Sequence, residues 1–143
     1  MKSFHEAICA EGMSKNTNKD YFVIDFEFTQ YTKRVGRPRG FFSEIIEIGA
    51  LKICGETGEI IGKIENFVKP HFYPKQAKES MEFCSITDAD MKKAIDFDAM
   101  LEKINLMYVP GNTYFVTWGN DDFKVIDLDL LDNAMKALKG VKL

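Results

Sequence analysis

The chain has 143 residues, of which 45% are hydrophobic and 29% charged, and its formal net charge is −3. This length suits one domain with a sizeable core, and no apolar run approaches the roughly 18 residues that a membrane-spanning helix requires. The small negative charge argues against a protein that coats nucleic acid through bulk electrostatics, but it is compatible with one local basic patch. We expect a cytoplasmic protein with no membrane partner, because residues 1–20 lack the basic-then-apolar order of a signal peptide.

Residues 1–19 are polar and weakly patterned, and we expect them to form a flexible leader to a domain that spans 20–143. Three segments rich in aromatic and β-branched residues follow, and each is predicted to be a strand: 21–28, 44–53 and 60–68. Short links join these segments, so we expect a three-stranded antiparallel meander.

Helical signals begin after a predicted loop at 70–86. Thr87 opens a polar stretch typical of a helix N-terminus, and apolar residues then recur at helical spacing until a Pro-Gly pair ends the helix. Segment 113–118 is a predicted fourth strand with Trp118 in the core, and an apolar stripe from 123 to 138 indicates a last helix. The order β-β-β-α-β-α predicts an α/β fold in which helices pack on a mixed sheet.

The first strand carries Asp25 and Glu27, the residues most informative about function. Residues i and i+2 of a strand point to the same face, so both carboxylates project together, about 7 Å apart along the strand. Their apolar neighbours favour burial, and two buried like charges are costly without a counter-charge. A divalent cation removes that cost, because Mg²⁺ and Mn²⁺ prefer oxygen ligands. The spacing alone leaves open a solvent-facing side of the strand on which acids alternate with core aromatics.

A second acidic segment, Asn120-Asp121-Asp122, lies where the fourth strand gives way to the last helix. Carboxylates at the end of a strand or in the first turn of a helix are well placed to reach a cleft. The alternative is that Asn120 or Asp121 only caps the helix. Two adjacent acids permit both roles, with Asp121 capping and Asp122, beside the apolar Phe123, pointing inward.

These segments resemble the motifs of the DEDD family of 3′–5′ exonucleases. The segment Val23 to Thr29 is similar to the first motif, Glu44 to Ala50 to the strand that follows it, and Thr117 to Ile126 to the second acidic motif, with Asp122 at the metal-ligand position. Phe83-Cys84 and the Ile-Thr pair two residues later resemble a loop of the ERI-like branch, with a shorter spacing and without its glycine. The likeness runs from about residue 21 to 126, and the segments fall in the family's order.

The resemblance implies a ribonuclease-H-like fold that removes nucleotides from the 3′ end of single-stranded RNA or DNA. It implies a two-ion Mg²⁺ or Mn²⁺ site in which Asp25, Glu27 and Asp122 are both metal ligands and catalytic residues, with Asp25 bridging the ions. The family's third motif is a His followed five residues later by an Asp, and neither His5 nor His71 fits it.

We therefore expect the C-terminal part of the fold to be missing, so that 20–143 corresponds to the N-terminal two-thirds of the family domain. An exposed sheet face would then be covered by a homo- or hetero-oligomeric partner, and activity is expected to be impaired without one. A catalytically inactive module that binds nucleic acid or a partner protein is the alternative.

A basic loop follows the first strand closely. It places four positive charges within seven residues and contains no acid: Lys33, Arg34, Arg37 and Arg39. Such a loop is suited to contact the phosphates of a nucleic-acid strand, although a solvated basic hairpin is the alternative. Phe41 and Phe42 beside it can stack on bases, but we expect them in the core.

Overall fold

A computed structural model describes residues 19–118, so the predicted last helix, Asp122 and all but the last residue of the predicted leader lie outside the described part of the chain. The described residues form four strands and three helices: β1 (Asp20–Phe28), β2 (Ile45–Ile53), β3 (Ile60–Phe67), α1 (Pro74–Phe83), α2 (Asp88–Lys92), α3 (Phe97–Met107) and β4 (Thr113–Thr117). None of these helices is long and apolar enough to cross a membrane.

The four strands form one mixed sheet in the order β3-β2-β1-β4. The pairings of β1 with β2 and of β2 with β3 are antiparallel, which confirms the predicted meander. β4 returns beside β1 in the parallel direction, as expected when a helical connection separates two neighbouring strands. β1 is therefore an inner strand with partners on both sides.

Strand β1 separates the hydrophobic core from the open face of the sheet. Phe22, Ile24 and Phe26 are buried on one side, where Met100 and Ile104 of α3 pack against the same cluster. Because side chains alternate along a strand, the residues between them point to the opposite side. That side carries the carboxylates that the sequence singles out.

The predicted loop at 70–86 was wrong over α1, which occupies Pro74–Phe83. The sequence signal is weak because Ala77 and Ser80 are the buried residues of this helix, so no apolar stripe reveals it. Its N-cap, Tyr73, makes no side-chain capping bond. The Glu44 carboxylate instead binds the backbone N–H groups of the three residues that precede the helix.

The predicted helix start at Thr87 is confirmed by a complete capping box with Asp90. The helical region is nevertheless divided, since α2 ends at Lys92 and α3 begins only at Phe97. The intervening Ile95 forms a parallel bridge with Val68 at the end of β3, which interrupts the helical hydrogen bonding.

Two predictions of core aromatics were also wrong. Trp118 directly follows β4 and is 74% exposed, and Phe42 is 48% exposed. Phe41 is half-buried, in contact with the rings of Tyr31 and Tyr73. Both exposed rings lie outside the strands, where the alternation that places β1 side chains in the core does not apply.

Candidate metal and nucleic-acid site

The open face of the sheet brings several carboxylates together. Asp25 and Glu27 are both exposed there, so the predicted same-face geometry is confirmed, on the solvent-facing side of the strand that the spacing had left open. In the strand register Glu27 is opposite Glu47 of β2, and Gly49, opposite Asp25, is in turn paired with Glu65 of β3. The four acids therefore occupy one side of three adjacent strands.

An open groove of about 290 Å³ lies beside Asp25. Its floor includes Gly49 and Val23, and Glu65 and Lys63 of β3 form its far side. A Cβ added at Gly49 would meet no atom within 4 Å, so the absence of a side chain there keeps the space next to Asp25 empty. The groove therefore leaves Asp25 accessible from this side.

The pKa of Glu47 reflects the electrostatics of the acidic face. Burial raises the pKa of this carboxyl, and the negative charges of Glu27 and Asp25 raise it further. The salt bridge between Lys63 and Glu65, 2.8 Å long, neutralises only the outer part of the cluster. Counting residues 19–118 alone, the face thus carries more negative charge than its cations balance, and such a surface attracts divalent cations.

We predict that Glu47→Gln raises the stability of the metal-free protein at neutral pH. A carboxyl whose pKa is higher in the folded than in the unfolded state contributes stability below its unfolded value, and that contribution is lost as pH rises through the folded value. The substitution removes the penalty at pH 7, and it should have no benefit below the ordinary Glu pKa of about 4.3. Thermal melts in EDTA at pH 7 and at a pH below about 4.3 measure the change in melting temperature that the substitution causes. An equal change at the two pH values would contradict the prediction.

Cys84 contacts the carboxylate pair from the C-terminal end of α1. Its thiol donates to Oε2 of Glu27 across 3.4 Å. Burial raises the pKa of Cys84 to about 11, with the Glu27 charge adding to the effect, so the thiol stays protonated and able to donate at neutral pH. No role of its own was predicted for Cys84 from the sequence, and the resemblance of the Phe83-Cys84 segment to a loop of the ERI-like branch was the one signal of a site role.

Glu44 fixes the position of α1 relative to β1. Its carboxylate accepts hydrogen bonds from the backbone N–H groups of His71, Phe72 and Tyr73 over 2.6–3.2 Å, which anchors the segment that leads into α1. The backbone N–H of Glu44 donates to Oγ1 of the fully buried Thr29, directly after β1. The helix that brings Cys84 to Glu27 is therefore tied to the same end of β1.

We predict that Glu44→Ala destabilises the fold by about 1–3 kcal/mol, because three backbone N–H groups lose their acceptor. Glu44→Gln, which retains one carbonyl oxygen, should cost less. Urea unfolding of both variants measures the free energies, and Glu56→Ala in the exposed turn after β2 is the control. Equal stability of Glu44→Ala and the parent would show that water replaces the Glu44 carboxylate as acceptor without cost.

The basic loop is exposed, which both a phosphate-binding loop and a solvated basic hairpin require. Lys33 donates to Glu79 of α1 at 2.9 Å, so part of its charge is neutralised. The Arg37 guanidinium lies 5.5 Å from the centre of the Phe41 ring. Arg34 and Arg39 are exposed on the same loop, so cationic groups are available to a strand from this edge of the molecule.

Two of the three predicted metal ligands, Asp25 and Glu27, lie on one face of the sheet, and the third, Asp122, lies outside the described residues. Within residues 19–118, no three His, Cys, Asp or Glu side chains are arranged to hold a metal ion. The predicted third donor, Asp122, follows β4, which is the parallel neighbour of β1. The chemistry of the two described donors, hard oxygens on an acidic face, fits Mg²⁺ or Mn²⁺.

Comparisons with known proteins match most of the chain. Residues 22–139 fit the RNase T family model, described as "Exonuclease". The chain is 32% identical over 117 residues to the probable 3′–5′ exonuclease KapD of Bacillus subtilis (strain 168), a match that covers 82% of this chain and 56% of the relative. The nuclease domain of 3′hExo, a DEDDh family member bound to rAMP, is similar with a TM-score of 0.58 and 21% identity, over 90% of this chain and 64% of that one.

A second solved structure, E. coli exonuclease I in complex with a dT13 oligonucleotide, is similar with a TM-score of 0.53 and 16% identity, over 75% of this chain and 22% of that one. These likenesses confirm the predicted ribonuclease-H-like α/β fold. The chain spans about half the length of the curated relative that it matches, 56% of it.

Proposed function

The chain belongs to the DEDD exonuclease family, and from that premise we propose that it is a metal-dependent 3′–5′ exonuclease acting on single-stranded RNA or DNA ends. One observation carries the proposal: Asp25 and Glu27 project together from β1 onto an accessible acidic face beside an open groove. Both residues lie in the segment that matches the family. The relatives' activity supports the assignment, and the groove provides room for a terminal phosphodiester.

The proposed roles follow from the donor chemistry. Asp25, Glu27 and Asp122 would hold two Mg²⁺ or Mn²⁺ ions, with Asp25 shared between them. Such ions, when bound, supply an activated water and stabilise the leaving 3′ oxygen. The protein's part is to fix the carboxylates: β1 sets the spacing of the pair, and the Cys84 thiol orients Glu27 through its hydrogen bond. Cations of the basic loop hold the strand's phosphates: Lys33, Arg34, Arg37 and Arg39.

No general base is assigned within this sequence. His5 and His71 both precede Asp122, and neither is followed five residues later by an Asp. We propose that a histidine supplied by a further segment or by a partner subunit completes the site. A positioned base of this kind typically contributes about 10²–10⁴ in rate.

We also propose the cytoplasm as the compartment. Cys54 and Cys84 are free cysteines, the state that a reducing compartment maintains.

The test is an end-trimming assay on a short single strand that carries a fluorescent label at its 5′ end. With Mn²⁺ present, we expect a ladder of products that shorten from the 3′ end, and none with EDTA. A 3′-labelled strand should release labelled mononucleotide first. Because the missing base lowers the rate by about 10²–10⁴, the assay uses excess protein and long incubation. Strand binding without any trimming under these conditions would overturn the proposed activity and favour an inactive binding module.

A further inference from the structure

Four aromatic rings form a continuous surface patch beside the basic loop, which we call the aromatic platform: Phe41, Phe42, Phe72 and Tyr73. The Phe41 and Tyr73 ring centres are 4.8 Å apart, and Phe42 lies 5.3 Å from Tyr73 and 5.2 Å from Phe72. Phe72 is 69% exposed and Phe42 nearly half exposed. Two large rings thus face solvent while the other two support them.

The platform is held in a fixed arrangement by backbone contacts. The Glu44 carboxylate binds the backbone N–H groups of Phe72 and Tyr73, and the Tyr73 hydroxyl donates to the carbonyl of Gly40 at 3.2 Å. Rings that are already ordered lose little freedom when a ligand stacks on them. An exposed apolar patch with a rigid frame is typical of a binding surface.

The charge around the platform selects the partner. The Arg37 guanidinium lies over Phe41, and Arg34 and Arg39 belong to the same exposed loop. Aromatic faces interleaved with cations match the two parts of a single strand, since the bases stack on rings and the phosphates pair with cations. An acidic peptide would use the cations but has few flat groups for the rings.

We propose that the aromatic platform binds bases of a single-stranded nucleic acid by stacking on Phe42 and Phe72. The proposal rests on the proposed function and extends it with a second contact for the strand, away from the carboxylates. The two places are connected, because Thr29 and Gln30 directly after β1 bond to Glu44 and to Ser80 of α1. The proposal thus assigns the 3′ end of the strand to Asp25 and Glu27 and the nucleotides that precede it to the platform.

The test is strand binding in EDTA, measured by fluorescence anisotropy with labelled oligo(dT), oligo(U) and an abasic strand of equal length. The Phe42→Leu/Phe72→Leu variant stays apolar but loses its two exposed rings. We expect it to bind both base-containing strands about tenfold more weakly, and the abasic strand unchanged. Phe72→Trp retains a ring and should bind as well as the parent. Leu106→Ala, at an 83% exposed position on α3, is the control for losing a surface apolar group.

Equal binding of oligo(dT) and the abasic strand by the parent would overturn the proposal, because phosphate contacts alone would then explain binding. Unchanged affinity of the double Leu variant would overturn it as well. Displacement of the strands by polyglutamate at equal charge would point to an acidic protein as the partner and count against base stacking. Binding in EDTA is measured without any turnover, so failure of the exonuclease proposal appears in the trimming assay and failure of this one appears in binding.

Discussion

Replacing Asp25 with Asn is expected to lower the rate of 3′-end trimming by about a thousandfold, since the carboxylate assigned to both ions loses its charge. The amide keeps the size of the side chain, and Asp25 lies on the open face away from the buried row of β1. Folding should therefore be unaffected. Initial rates of trimming of the 5′-labelled strand with Mn²⁺ give the ratio of the variant rate to the parental rate.

A second readout separates metal binding from turnover. Titration of Mn²⁺ by calorimetry should show weaker binding in Asp25→Asn. Thermal melts without metal should not be lower than those of the parent, because the substitution also removes a negative charge that repels Glu47. Glu102→Gln, which removes one negative charge from the exposed side of α3, is the matched control and should trim at the parental rate. Equal trimming by Asp25→Asn would mean that the activity comes from a contaminant or from other ligands.

The sequence predicted the sheet well because its strands are local patterns. Phe22, Ile24 and Phe26 alternate with the acids of β1, and a period of two identifies both the strand and its two faces. The same alternation predicted that Asp25 and Glu27 project together. It did not predict that they are exposed. Their exposure depends on what covers the face of the sheet opposite Phe22, Ile24 and Phe26, and no local pattern records that.

The parts of the site that the sequence did not predict depend on contacts between distant residues. Glu44 binds the segment before α1 across 27–29 residues in the sequence, and Cys84 contacts Glu27 across 57. No period or motif records such pairs. The exposure of Phe42 also depends on distant residues, because its ring packs against Phe72 and Tyr73 of a different loop and not against the sheet.

The two faces of β1 thus have different roles, and a substitution on each face should change a different property of the protein. Residues on the core face of β1 determine whether the domain folds, while those on the open face determine which ions and strands it holds. Asp25→Asn tests the open face. The counterpart on the core face is Phe22, the fully buried aromatic three residues earlier.

Phe22→Ala is expected to destabilise the protein by about 3–5 kcal/mol, the cost typical of removing a fully buried aromatic ring. The ring belongs to the main core cluster and makes an edge contact with Phe115 of β4, with centres 5.4 Å apart, so its loss also weakens the parallel pairing that leads towards Asp122. Urea unfolding measures the change. Phe22→Leu should recover most of the loss, because it fills much of the cavity.

The two substitutions together decide whether the faces are independent. At a temperature where Phe22→Ala is still folded, its Mn²⁺ affinity should be close to the parental value, because no carboxylate has changed. If metal binding instead falls in proportion to stability, the spacing of Asp25 and Glu27 depends on core packing beneath β1. A loss of stability below about 1 kcal/mol would show that neighbouring side chains refill the space, and Phe22 would then not be a main support of the fold.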